Sequence, residues 1–130
     1  MEHVVNPVDI LRLVSSWLAP DGVIIAAVPN CNSLHRQAAV NMGLLDSTKQ
    51  LNSQDIANGH RRVYSLDELK DDFSFANLDI VASGGYFLKP LSNGQIERDW
   101  SDEMLDAYLE LGEKYPDIAG EIYIVATNKK

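Results

Sequence analysis

The stretch Leu18-Ala19-Pro20-Asp21-Gly22-Val23-Ile24-Ile25-Ala26-Ala27-Val28-Pro29-Asn30 constrains the fold of this chain more than any other. It reads as the end of a helix, a tight turn, a six-residue apolar strand and a polar loop. Pro20-Asp21-Gly22 carries the residues that stop a helix and reverse a chain. Pro29 closes the strand, because proline has no N–H to give to a ladder. A strand that is apolar on both faces belongs in the middle of a parallel sheet with helices on either side. Such a strand needs a neighbour along each edge, yet it begins at Val23. The chain therefore reads as one that begins partway through a fold.

The elements around that strand alternate. Asn6-Pro7 starts a helix, with asparagine as the cap and proline at the first helical position, and Ile10, Leu11, Val14, Trp17 and Leu18 follow at helical spacing. Ser33 is placed to cap a second helix over Leu34 to Met42, which Gly43 closes. Leu44 to Asn58 has no clean period and is expected to be a long loop with one helical turn around Ser53 to Ala57. Ser65 and Glu68 form a capping box for a helix to Phe75 or Ala76. Asp79 to Leu88 is extended, with a bulge or bend expected at Gly84-Gly85. Ser92-Asn93-Gly94-Gln95 reads as a turn. Asp99 to Lys114 reads as one amphipathic helix whose Trp100, Met104 and Tyr108 face the core, and Glu121 to Thr127 as a last strand. This order predicts a single α/β domain over residues 1–130. Periodicity leaves the relative direction of the last two strands open.

Composition narrows the partners. The chain has 19 acidic against 11 basic residues and a formal charge of -8, which disfavours a nucleic-acid backbone or an anionic membrane as partner. Cys31 is the only cysteine, so an internal disulfide and a multi-cysteine metal site are both excluded. No apolar run is long enough to span a bilayer, and Met1 to Val5 lacks the form of a signal peptide, so a cytoplasmic location is expected.

At this point the chain resembles the C-terminal half of a class I S-adenosylmethionine-dependent methyltransferase of the bacterial small-molecule type. The likeness is carried by Glu2-His3-Val4, Pro7, Leu18 to Ile25 and Val28-Pro29-Asn30, then by Ser33-Leu34-His35-Arg36 and Gly59-His60-Arg61-Arg62-Val63-Tyr64-Ser65. The resemblance implies a partial Rossmann-like methyltransferase sheet: its last three strands, with the closing strand antiparallel, flanked by helices. It also implies a transferase that uses S-adenosylmethionine and a small-molecule methyl acceptor. The departure is as informative. The family binds the cofactor with a glycine-rich turn after its first strand and an acidic residue ending its second, and nothing here corresponds to either. The chain thus resembles a truncated form, expected to be inactive by itself. The alternative is a non-catalytic folded module that associates, as a homodimer for example, through the unpaired edge of Val23 to Val28.

Several residues are candidates for the site. His60 is either a general base toward an acceptor hydroxyl, its free pKa being near neutral, or a loop histidine bonded to backbone and solvent. Arg61 and Arg62 either clamp an anionic substrate or are solvated. Asn30, His35 and Arg36 follow the carboxyl end of the strand, where sites in open α/β sheets lie, and are candidate substrate ligands. Tyr64 is a further substrate candidate, although tyrosine in this setting more often packs. Glu2 and His3 lie where the resemblance places the border of the cofactor pocket. No metal is expected: His3, His35 and His60 lack the spacing of a ligand set.

Overall fold

Helix starts follow the local sequence closely. In the computed structural model, which describes residues 1–129, the Asn6 side chain accepts the Asp9 N–H and opens α1, Pro7–Ser15. The helix stops short of the predicted Leu18. The hydroxyls of Ser15 and Ser16 bond back to the carbonyls of Arg12 and Leu13, at 2.7 Å each, and the next residues tighten into three-residue turns. After β1, Ile24–Pro29, come α2, Leu34–Asn41, and a short α3, Ser53–Ala57, which has its own capping box from Asn52 and Asp55. Ser33 occupies the cap position of α2 without making a side-chain cap bond. The Ser65–Glu68 box opens α4, Leu66–Phe75, and Asn77 closes it at φ 63°, a left-handed position that asparagine tolerates.

Two elements differ from the sequence expectation. Ser92 to Gln95 is not a free turn but the start of α5, Asn93–Asp99, and the predicted single helix is broken at Trp100 before α6, Asp102–Lys114. The Ser101 hydroxyl accepts the Met104 N–H and starts α6 afresh, while Trp100 packs against the rings of Phe87 and Tyr108. The irregularity in β2, Leu78–Tyr86, falls at Val81 rather than at the glycine pair. Gly84 and Gly85 keep regular register with Tyr123 and Ile122, and they are glycines because of close approach. A Cβ on Gly84 would meet the Tyr123 hydroxyl at 2.9 Å, and one on Gly85 would meet Ala119 at 2.8 Å.

The fold is mixed α/β with a three-stranded antiparallel sheet in the order β1-β3-β2. The closing strand β3, Glu121–Asn128, lies between the other two and runs antiparallel to both, as the methyltransferase likeness implies. Ile122, Ile124 and Ala126 point from it into a core shared with Ile24, Val28, Leu69 and Phe73, all buried, with Leu11 of α1 above them. β1 is therefore an edge strand buried on one face only. Ile25 is 67% exposed, since these residues supply neither a neighbour for its outer edge nor a layer over its second face. The central, doubly covered position expected from its composition is not the one it has here. No helix among the described residues is long and apolar enough to cross a membrane.

α6 lies directly on the end of β2. The N–H groups of Phe87 and Leu88 donate to the carbonyls of Leu109 and Tyr108, and Phe87 is held at φ 61°. Gly112 allows this approach, because a Cβ there would stand 2.2 Å from the Phe87 nitrogen. Gly112→Ala should therefore destabilise the fold by about 3 kcal/mol or more and lower the melting temperature by roughly 10 °C. Thermal denaturation followed by circular dichroism checks this, and an unchanged melting temperature would show that α6 does not pack there.

Candidate functional site

The carboxyl end of β1, the start of α2, the capped turn α3 and the first residue of β3 meet around a polar pocket of about 340 Å³. Glu2, His35, Asp55, His60, Lys89 and Glu121 supply its charged and titratable lining, with Arg36 behind Asp55. The sheet topology brings Glu121 here. β3 runs antiparallel to β1, so Glu121 is paired with Pro29 and both stand at the same end.

Asp55 organises one wall. It is the third residue of α3, where its carboxylate accepts the Asn52 N–H at 3.0 Å. The same Oδ2 accepts Arg36 Nη1 at 3.0 Å, and Oδ1 lies 2.9 Å from His60 Nδ1. Burial alone would raise the Asp55 pKa, but the bonds from Asn52, Arg36 and His60 outweigh it and hold the carboxyl below its ordinary value. His60 Nδ1 faces Asp55 as its donor, and Nε2 is the ring nitrogen left outside that bond. Arg36 is fully committed to this role. Its Nε donates to the Thr48 carbonyl at 2.8 Å and its Nη2 to the Gln50 carbonyl, so it fastens the 44–52 loop and does not reach toward a substrate.

Across the pocket, burial pushes the Glu121 carboxyl from 4.5 up to about 7; nearby Glu2 adds to the rise, while Lys89 and His60 oppose it. Burial also lowers His35, to about 4, helped by the charges of Lys89 and Arg36, so His35 is neutral at physiological pH. Its Nδ1 is buried without a partner. Lys89 is itself lowered, by burial first. A pocket holding several displaced titratable groups has the electrostatics of a functional site.

Of the remaining sequence candidates, Asn30 belongs to this pocket as well, whereas Arg61, Arg62 and Tyr64 line a separate one. Asn30 is buried in the pocket wall, but its amide donates to the carbonyls of Asp117 and Ala119 and its oxygen accepts the Asn32 N–H, so it locks β1 to the β3 entry. Arg61 and Arg62 turn toward the N-terminal segment. Arg61 Nε donates to the His3 carbonyl at 3.2 Å, and Arg62 donates to the carbonyls of Val4 at 2.8 Å and Val5 at 3.0 Å. Tyr64 is in the core, with its hydroxyl on Asp72 at 2.7 Å; burial and that carboxylate raise its pKa. Cys31 is buried, and burial raises its thiol pKa. Glu2 and His3, by contrast, are brought to His60: one ligand atom from each lies within 4.8 Å of the others. His35 is not part of that trio.

Asp55, Lys89 and Glu121 were not singled out from the sequence. Asp55 reads locally as the third residue of a capped turn, and Glu121 as the start of a strand. A larger, mostly apolar pocket of about 580 Å³, walled by Met42, Leu44, Leu45 and Leu91, adjoins the polar one and shares His35, Asn52 and Gln54 with it.

The glycine pair at Gly84-Gly85 has its Cβ space filled by Tyr123, Ala119 and Pro116, so that pair is not a cofactor cradle, and among the described residues no strand ends in an acidic residue of the kind the resemblance implies for the S-adenosylmethionine ribose. A family model described as a methyltransferase domain matches residues 1–83, more than half of the chain, and the chain belongs to that family. No curated protein matches it.

The raised Glu121 pKa carries a sign. Its stabilising contribution is complete below pH 4.5 and is lost as pH rises through about 7. The depressed His35 acts the opposite way, contributing above 6.5 and losing it toward about 4, so the Glu121 effect is best isolated by difference. Urea unfolding should show Glu121→Gln gaining on the parent protein between about pH 5 and pH 8, by on the order of 3 kcal/mol at the upper end. A difference independent of pH would mean that Glu121 is not buried in the way described.

Proposed function

We propose that this chain forms the acceptor side of a methyltransferase acting on a small hydroxylated molecule, and that the cofactor is held by residues outside these 130. Methyltransferase domains generally take their methyl group from S-adenosylmethionine. The observation that carries the reading is the Asp55–His60 pair in the wall of a polar pocket, beyond the carboxyl end of β1, where ligands of open α/β sheets bind. Asp55 orients the imidazole so that Nε2 can accept the hydrogen of an acceptor hydroxyl, in the role of a positioned base. Neutral His35, with half-buried Lys89 and Glu121, supplies further polar contacts. The adjoining apolar pocket fits the body of the same molecule, so the acceptor is an amphiphile with a polar, hydroxyl-bearing head.

Two titrations test this. Calorimetry with S-adenosylmethionine is expected to show no saturable binding by the chain. NMR titration with a simple amphiphile, an alkyl-substituted phenol, is expected to shift the amides of Asn52, Gln54 and His60. Micromolar binding of S-adenosylmethionine would overturn the placement of the cofactor outside these residues. Shifts confined to the other side of the sheet would overturn the pocket assignment.

A second reading, association through the sheet edge, is favoured by one observation: β1 is the edge strand, with Ile25 67% and Val23 48% exposed. Light scattering after size-exclusion chromatography should then find a dimer that Ile25→Lys converts to a monomer. A monomeric parent protein whose outer β1 amides exchange slowly with solvent would count against this reading.

A further inference from the structure

We infer that His35 sets acceptor specificity: its Nε2 donates a hydrogen bond to a carbonyl oxygen that lies between the polar head and the apolar body of the acceptor. The assignment rests on the two pockets being one acceptor site, and His60 keeps its role as base. His35 lines both pockets, and only Asn52 and Gln54 do so with it. Those two already have polar atoms engaged: Asn52 Oδ1 accepts the Asp55 N–H at 2.8 Å, and Gln54 Nε2 donates to Asn58 Oδ1 at 3.0 Å. The backbone fixes His35 at the boundary. It is the second residue of α2, and its N–H donates to the Lys89 carbonyl at 3.3 Å. That bond ties the helix start to Lys89, Pro90 and Leu91, which border the same two pockets.

The independent observation is a polar atom without a partner. Among the described residues, the enclosed side-chain atoms that lack a hydrogen bond are Ser33 Oγ and His35 Nδ1, and of these two residues only His35 lines either pocket. Folded chains satisfy nearly all buried polar atoms, so such an atom calls for a reason. A neutral imidazole carries hydrogen on one nitrogen and a bare lone pair on the other. Unmet buried N–H groups are rarer than unmet acceptors, so Nδ1 is the bare nitrogen and the hydrogen is on Nε2. Burial first, then the charges of Lys89 and Arg36, keep a second proton off the ring against the pull of Asp55. With Nδ1 walled in, the ring meets the pockets through the edge that carries the Nε2–H, a single uncharged donor.

Placement decides what this donor reads. The acceptor hydroxyl goes to His60 in the polar pocket, and the apolar body goes among Met42, Leu44, Leu45 and Leu91. An oxygen at the boundary is therefore interior to the molecule, with the head on one side and the body on the other. A terminal carboxylate or phosphate cannot occupy that position, whereas the carbonyl of a ketone, ester or amide can. A carbonyl oxygen offers two lone pairs and no hydrogen, which matches a lone N–H donor. The favoured acceptor is a hydroxylated head joined to its apolar body through an acyl linkage. A molecule without that oxygen would displace water and leave the Nε2–H unpaired, at a cost in affinity.

Two measurements on the chain test this. Long-range proton–nitrogen NMR correlations report which ring nitrogen of His35 carries hydrogen. Nε2–H is expected, and hydrogen on Nδ1 would overturn the assignment without any ligand present. The second measurement is NMR titration with an alkyl phenol and with the acyl phenol of the same chain length. The acyl phenol should bind the parent protein about fivefold more tightly. His35→Phe, which keeps a ring but no nitrogen, should lose that preference with alkyl phenol affinity and the circular dichroism spectrum unchanged. His35→Gln, which restores an N–H donor, should recover part of it. Equal affinities in the parent protein would overturn the role of His35. So would a preference that persists in His35→Phe, since it would then come from the greater acidity of the acyl phenol. Failure of both phenols to bind would overturn the acceptor site itself, and with it the acceptor class inferred from it.

Discussion

One buried carboxylate, Asp55, holds together the parts of this molecule that matter most for function. It joins the Arg36 guanidinium on α2, the backbone at the start of α3 and the imidazole of His60 in the following loop. Each partner needs the others. An ion pair this deep carries a large desolvation cost, offset only when geometry is good and every remaining lone pair or proton is satisfied. Here Arg36 meets three acceptors and Asp55 three donors. Removal of either would leave a buried charge, which typically costs 3–5 kcal/mol, roughly. The 44–52 loop has little regular structure of its own and takes its position from the Arg36 bonds to Thr48 and Gln50. The orientation of His60 thus depends on an arginine that does not touch it.

The second organising constraint is the placement of β3 between β1 and β2. A closing strand antiparallel to both neighbours brings its first residue, Glu121, to the carboxyl end of β1, beside Asn30 and His35. The same insertion buries Ile122, Ile124 and Ala126 as the middle of the core. Stability and site are therefore coupled through one strand: its apolar residues anchor the sheet, and its first side chain enters the polar pocket. The price is a carboxylate driven toward neutrality by burial, in a place where Glu2 adds like charge and only Lys89 and His60 oppose it.

Much of the fold was legible because its signals are local. Asn6, Asn52 and Ser65 are capping residues whose partners lie three positions away, and the apolar runs of β1 and β3 announce themselves as strands. Where local reading failed, a distant neighbour had decided the outcome. Trp100 leaves helical geometry as it packs against Phe87 and Tyr108, and Gly84-Gly85 accommodates Tyr123 and Ala119 instead of forming a bulge. The site was legible only in part. His60 and His35 stood out as titratable groups near the end of a strand. Asp55 and Glu121 did not, because each already had an ordinary local explanation. Arg61 and Arg62 read as anion clamps and Arg36 as a substrate ligand; in the structure Arg36 is committed to backbone carbonyls and Asp55, while Arg61 and Arg62 donate to carbonyls of the N-terminal segment.

By itself, then, the sequence determined the elements, the α/β class and the methyltransferase likeness, since capping, hydrophobic alternation and turn chemistry act over a few residues. Tertiary structure alone decided which charges are paired, which carboxyl is nearly neutral and which donors converge. Glu2 and His3 reach His60 across a long stretch of chain, and only the folded backbone closes that distance. Solvation follows the same rule: a residue's pKa is set by what surrounds it in space, and no pattern along the chain records that.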